Sequence, residues 1–237
     1  MTPTINYLKL SVLFLLLLMA VIGSAQDRTI KSEFIVWNQF TQKVKFNDKY
    51  SGTFLTQYRA FTDREKGYHL FFSLGVTRKL DHGFSVSLGF SNLNINQYVD
   101  TDFVLVPELR PFQSIQRTTP INKSSISWRL MIEERFFRNA ENGELVNGYF
   151  QNWRFRKKLK YTQYISDRFN LILASEIMIN AGNVNINIFD QSRTQFLLNY
   201  SRERFSIETG YMHWFFQTPT NFHENRHSLV IALTHSI

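Results

Sequence analysis

Two runs of alternating residues constrain this chain more than any other feature. Ser127–Phe136 reads S-W-R-L-M-I-E-E-R-F, and Trp153–Tyr161 reads W-R-F-R-K-K-L-K-Y. In the first, Arg129, Met131, Glu133 and Arg135 share one side, with Trp128, Leu130, Ile132 and Phe136 on the other. In the second, Arg154, Arg156, Lys158 and Lys160 oppose Trp153, Phe155, Leu159 and Tyr161. A period of two is the period of a β-strand. A soluble sheet points its apolar side at a core, and permanent charges backed by aromatics fit that poorly. A barrel in lipid requires this pattern, with apolar side chains out and polar ones in.

The same alternation recurs along the chain. Strand candidates are Glu33–Val44, Gly52–Phe61, Tyr68–Thr77, Phe84–Ser91 and Glu108–Thr118, then the two opening runs. Phe169–Asn180, Gln191–Tyr200, Phe205–Phe215 and His227–Ile237 follow. Tyr68–Thr77 and Phe84–Ser91, joined at Leu80–Gly83, form the clearest hairpin. Asn92–Pro107 reads as a long link, Pro111 as an interruption, and Asn139–Gly148 and Gln217–Asn225 as polar loops. Short and long links therefore alternate from Leu80 onward, as short periplasmic turns and longer external loops do in outer-membrane barrels. Eleven candidates conflict with the even strand number of single-chain bacterial barrels. The expectation is a single all-β, transmembrane, antiparallel up-and-down barrel of twelve strands, with ten as the alternative. Phenylalanine at 23 and tyrosine at 10 residues suit a lipid-facing wall with interfacial girdles. Trp37, Trp128, Trp153 and Trp214 read as interfacial or lipid-facing anchors.

The first 25 residues read as an export signal. Lys9 precedes the uncharged run Leu10–Ile22, and Gly23-Ser24-Ala25 supplies small residues for cleavage after Ala25. The apolar run is too short for a spanning helix, which needs about 20 residues. Residues 26–237 then form the barrel domain. Lys9 is the only charge removed, so the formal net charge falls from +8 to +7. The sequence has no cysteine, hence no disulfide and no lipid-bearing thiol. The basic balance does not imply nucleic acid, because the charges alternate within strands instead of forming one exposed patch.

Several stretches resemble an uncharacterised exported barrel family, domain of unknown function 2490. They are Pro107–Phe112 (P-E-L-R-P-F), Arg129–Phe136 (R-L-M-I-E-E-R-F), the basic strand Trp153–Tyr161, and Glu176 in its strand. Phe189–Arg193 (F-D-Q-S-R), Gly210-Tyr211 and His227-Ser228-Leu229 continue the series in order. Met131 stands where a second arginine is expected. The resemblance implies an outer-membrane barrel in a Gram-negative cell and no particular activity. The terminal strand looks like an assembly signal read by the barrel assembly machinery, although its last residue is Ile237 instead of an aromatic.

The strongest candidate site is a charged ladder on the inward side of five successive strands. It comprises Arg129, Glu133, Arg135, Arg154, Arg156, Lys158, Lys160, Glu176, Arg193 and Glu208. One reading is a basic lumen that attracts small anionic solutes, as a narrow porin-like channel or binding barrel. The other is a salt-bridged, plugged lumen, with a structural or interaction role carried by the external loops. Lys157 falls on the lipid side and points to a bulge or an interfacial position.

Other chemistry finds little support. His223–His227 spells H-E-x-x-H, a zinc motif that works only on a helix, and here it lies at a loop–strand junction. There is no G-x-S-x-G elbow, phosphate loop or Rossmann fingerprint. The expectation is a non-enzymatic protein of the cell outer membrane with no metal or cofactor, its surroundings being outer-membrane lipid.

Overall fold

In the computed structural model, residues 30–62, 67–100, 102–182, 188–217 and 223–237 are described. The proposed leader and cleavage site lie outside them. Eleven strands form one closed barrel. They are β1 (Ile30–Lys45), β2 (Tyr50–Phe61), β3 (Tyr68–Lys79), β4 (Phe84–Val99), β5 (Asp102–Ile121) and β6 (Ser124–Glu141), followed by β7 (Glu144–Tyr164), β8 (Phe169–Ala181), β9 (Phe189–Arg202), β10 (Phe205–Gln217) and β11 (His223–Ser236). Each of the eleven sequence candidates falls on its own strand, the last overrunning β11 by Ile237, so the expected twelve (or ten) is corrected to eleven.

The even-number expectation assumes antiparallel closure. Neighbouring strands here run antiparallel, so an odd number leaves the first and last pointing the same way. β1 and β11 accordingly close the barrel in parallel, from Ile30↔His223 to Lys43↔Ser236. A second consequence is that Ile30 and Ile237 lie at opposite rims. The short-turn rim carries residues 46–49, 80–83, 122–123, 165–168 and 203–204, together with the C-terminus.

The turns are set locally. At residues 46–49, the Asn47 side chain accepts hydrogen bonds from the backbone N–H groups of Lys49 and Tyr50. The Lys45 ammonium, hydrogen-bonded to Asp48, holds that exposed carboxyl below its usual range. At the other rim two expected loops are strands. Asn92–Pro107 is the β4–β5 hairpin, closing at Val99↔Asp102. Asn139–Gly148 is mostly β6 and β7, which turn through Asn142-Gly143, both with positive φ (51° and 78°). That is the two-residue hairpin that Asn-Gly favours. The two tips are joined, because the Asn142 N–H donates to the Asp100 carboxylate at 2.8 Å. Pro111 does not interrupt β5. The β5–β6 ladder skips Arg110 and Pro111 and resumes at Phe112↔Glu133 in the same register.

Alternation sorts the side chains cleanly. Outward residues such as Leu88, Phe196 and Leu130 are 65%, 50% and 46% exposed. Lys157 also points outward, between Leu130 and Ile177, in an unbroken ladder, so the bulge is corrected. Trp37 and Trp214 are corrected too. They face inward and are buried, packed edge to face at 5.9 Å with Ile35, Phe61, Leu197, Met212 and Val230 around them.

The inner wall is tight where β3, β4 and β5 meet. A Cβ on Gly89 would lie 2.3 Å from both the Leu74 carbonyl oxygen and the Phe112 ring. One on Gly52 would lie 2.7 Å from Phe46, a side chain at the rim that can swing away. Gly89→Ala is therefore expected to lower stability by about 1–3 kcal/mol, and Gly52→Ala by much less. The temperature at which the folded band disappears in unheated-versus-heated gel electrophoresis measures both. Equal temperatures for the two variants would contradict the packing described.

Candidate functional site

The inner wall carries charge because the odd-numbered residues of β6 and β9 and the even-numbered residues of β5, β7, β8 and β10 point inward. These charges lie too close together to remain independent. Glu133 on β6 accepts from Arg154 Nε at 2.6 Å through one oxygen and from Arg156 Nη1 at 2.7 Å through the other. Arg154 also donates Nη1 to Asp190 at 3.1 Å. Arg156 forks onto Glu176 Oε1 at 3.1 and 2.9 Å, and Arg129 donates to the same oxygen at 2.9 Å. The result is one chain of ion pairs, Asp190–Arg154–Glu133–Arg156–Glu176–Arg129, across four strands.

A second knot lies nearer the loop rim. Fully buried Glu108 receives two guanidinium groups, with Arg110 at 2.5 Å through both oxygens and Arg135 at 2.5 and 3.2 Å. Arg135 reaches on to Asn180, which also accepts from Asn152. A third cluster clamps the parallel seam. Glu33, also fully buried, pairs with Lys31 at 3.0 Å and lies 3.7 Å from Arg226, which forks onto Glu224. Beside it Arg226 stacks on Trp214 at 4.4 Å and on Phe216 at 4.7 Å.

These clusters fill the half of the lumen towards the loop rim. Below them, towards the short turns, the barrel holds a cavity of about 480 Å³. One wall is hydroxyl- and amide-rich, with Ser73, Ser87, Ser114, Thr77, Gln57 and Gln116. The facing wall is charged, with Arg129, Glu133, Arg154, Arg156, Lys158, Glu176, Arg193 and Glu208. Side chains near the short-turn rim, Thr53, Thr77, Ser85 and Gln116 among them, are half-exposed, whereas Glu108, Arg110, Arg135 and Asp190 above are buried. The cavity thus reaches up to the buried ion-pair layer, whose Arg110, Glu133 and Arg154 line it.

The sequence-derived ladder is therefore brought together, but not as a ring of free charge. Arg129, Glu133, Arg154, Arg156 and Glu176 form the ion-pair chain, and Arg135 joins Glu108 outside the cavity. Lys158 donates to Gln195 at 3.1 Å. Arg193 donates to Gln191 and lies 5.0 Å from the Trp37 ring and 4.7 Å from that of Trp214. Glu208 lines the cavity, and Lys160 is half-buried on the same side of β7.

Sequence reasoning missed Glu33, Arg59, Glu108, Arg110, Asp190, Glu224 and Arg226. A signal was present. Glu108-x-Arg110, Lys31-x-Glu33 and Glu224-x-Arg226 place opposite charges two apart, hence on one face of a strand. Arg59 carries no such mark. Its guanidinium lies 3.8 Å above the Trp37 ring. The H-E-x-x-H segment is extended in β11, from His223 onward, and residues 218–222 of the expected loop lie outside the described residues. Four strand residues span about 13 Å. His223 stacks on Phe215, His227 accepts or donates at the Tyr211 hydroxyl, and Glu224 turns to Arg226. No cluster of three His, Asp or Glu ligands occurs among the described residues.

An eleven-stranded β-barrel with an ionic lumen and an apolar outer wall is thus the class to which this chain belongs. A family model described as "Protein of unknown function (DUF2490)" matches residues 34–226, most of the chain, and the protein is a member of that family. No curated protein and no solved structure matches it.

Glu133 serves two buried arginines at once. Replacing it with Gln leaves both without their shared charge, and breaking a buried pair costs about 3–5 kcal/mol. Glu133→Gln is expected near the lower figure, since Arg154 keeps Asp190 and Arg156 keeps Glu176. Glu208→Gln should change stability by less than about 1 kcal/mol. Urea unfolding in detergent micelles, followed by tryptophan fluorescence, separates the two.

Proposed function

We propose that this protein is an outer-membrane β-barrel whose lumen is a blind, basic pocket for small anionic solutes, open at the short-turn rim and stoppered towards the loops. The single observation that carries the reading is the change along the axis from a buried ion-pair layer at Glu108 and Asp190 to a polar cavity of about 480 Å³. The membrane assignment is supported by the outer wall. Leucine and phenylalanine residues stand exposed around the barrel, and water would charge roughly 25 cal/mol for each Å² of that apolar surface. A closed ladder leaves no unpaired backbone edge to face hydrocarbon.

The reading differs from a through-pore. Seven cationic and three acidic side chains line the cavity, which favours anions, but the layer above it blocks passage. A solute enters and leaves by the same mouth. With short turns facing the periplasm, that mouth is periplasmic, and β1 begins at the external rim.

Two experiments test this. Purified protein in planar bilayers should give no steady conductance; an ohmic current through the wild-type barrel would remove the stopper from the account. The chain has no cysteine, so introduced thiols report topology without background. Asn142→Cys should react with an impermeant maleimide on intact cells, and Asp167→Cys only after the envelope is opened. Labelling of Asp167→Cys on intact cells would invert the orientation, and labelling of neither in an outer-membrane fraction would refute the location.

A further inference from the structure

Resting on the blind-pocket reading, we infer the class of solute: a monosaccharide phosphate, its phosphate held by Arg59, Lys158 and Arg193 and its hydroxyls by the facing Ser/Thr/Gln wall. The cations of the lumen differ in whether each is paired with an acid. Among the described residues, every arginine of the two inner ion-pair knots meets a carboxylate. Arg59, Lys158 and Arg193 line the same cavity and have no carboxylate oxygen within 4.0 Å among the described residues. Their partners are neutral, namely Gln57 for Arg59, Gln195 for Lys158 and Gln191 for Arg193.

Arg59 and Arg193 lie with their guanidinium carbons 3.8 and 5.0 Å from one ring, that of Trp37. The ring holds two like charges near each other, which is unfavourable unless an anion sits between them and the cavity. Nε of Arg193 and of the neighbouring Arg129 is buried without a hydrogen-bond partner. Buried donors are rarely left so. Several directed N–H groups and one ammonium suit the three oxygens of a phosphate monoester, which planar guanidinium groups bind through paired bonds.

An inorganic ion would leave most of the space unused. The cavity falls within the size range of small-molecule sites. Its remaining lining mixes uncharged polar groups with apolar residues such as Leu55, Phe71, Phe112 and Met131. Ser73, Ser87, Ser114, Thr77 and Gln116 present hydroxyl and amide groups opposite Lys158 and Arg193. Glu208 adds an acceptor without an ion-pair partner. A body bearing several hydroxyls, each able to donate and accept, matches such a wall, whereas an acyl or aromatic body would strand its polar groups.

Isothermal titration of the detergent-solubilised full barrel with glucose 6-phosphate, inorganic phosphate and glucose tests this. Glucose 6-phosphate should bind at least about tenfold more tightly than either fragment, since a site built to hydrogen-bond a substrate rejects analogues lacking those groups. Lys158→Met should abolish binding of both phosphates. Ser87→Val with Ser114→Val should remove the preference for the sugar phosphate and leave phosphate affinity within about twofold. Both variants must retain the wild-type heat-modifiable band; if Lys158→Met does not, Lys158→Gln takes its place. Equal affinity for inorganic phosphate and glucose 6-phosphate in the wild type overturns the sugar inference and leaves an anion pocket. No binding of any anion overturns that pocket as well.

Discussion

The carboxylate of Glu133, reaching Arg154 with one oxygen and Arg156 with the other, is the interaction on which the interior depends. Eleven strands enclose little width, so inward arginines from β5, β6 and β7 cannot keep their hydration shells. Unpaired, each would be prohibitively costly; paired and fully hydrogen-bonded, the group as a whole is tolerable, though it is not a strong source of stability. The energy that holds the barrel closed comes from its ladders and from its apolar wall. The ion pairs instead dictate which arrangement of side chains fills the lumen, because any slip of β6 against β7 by one residue would turn Glu133 out and leave Arg154 inside without it.

That constraint explains what the sequence made legible. Strict alternation of Arg, Lys and Glu with Trp, Leu and Phe marks an inward and an outward face, and the structure places the strands where the alternation lies. Pairing partners were not legible. Arg135 stands in the same run as Glu133 yet joins Glu108, 27 residues away, through a ladder that Pro111 locally opens. Trp37 and Trp214 were misread because a tryptophan in a barrel strand suggests the interface, whereas here parity turns both inward beneath arginines. Asn142-Gly143 was hidden by its polar surroundings, although Asn-Gly flanked by strand residues is a strong hairpin sign. Polarity in Asn139–Gly148 reflects strands that run on beyond the apolar wall.

The strand number departs from the even-number rule for a physical reason. Alternation yields eleven segments, and only the habit of antiparallel closure argued for twelve. Parallel closure is permitted when the first and last strands can match inward residues along their length. β1 and β11 do so: Glu33 faces Arg226, Ile35 faces Ser228, Trp37 faces Val230 and Thr41 faces Thr234. A buried acid meets a buried base at the start of the seam, and the apolar and small residues that follow pack beneath it. The seam is thus as specified as any hairpin, without a turn to set its register.

Filling and hollowness in this barrel follow from residue size along the axis. Towards the loop rim the inward positions are Arg, Glu, Trp and Phe on nearly every strand, and long side chains meet across the axis. Towards the short turns, β2 to β5 supply Ser, Thr, Gly and Gln instead, so the opposite wall of β6 to β9 has nothing to meet. The cations on that wall divide accordingly. Those level with the buried acids are neutralised there, while Lys158 and Arg193, joined by Arg59 of β2, line the cavity with neutral hydrogen-bond partners. Packing alone would favour larger apolar residues at Ser87 and Ser114. Their smallness leaves an excess of positive charge along a cavity, an arrangement that costs stability in the empty barrel and that a bound anion would relieve.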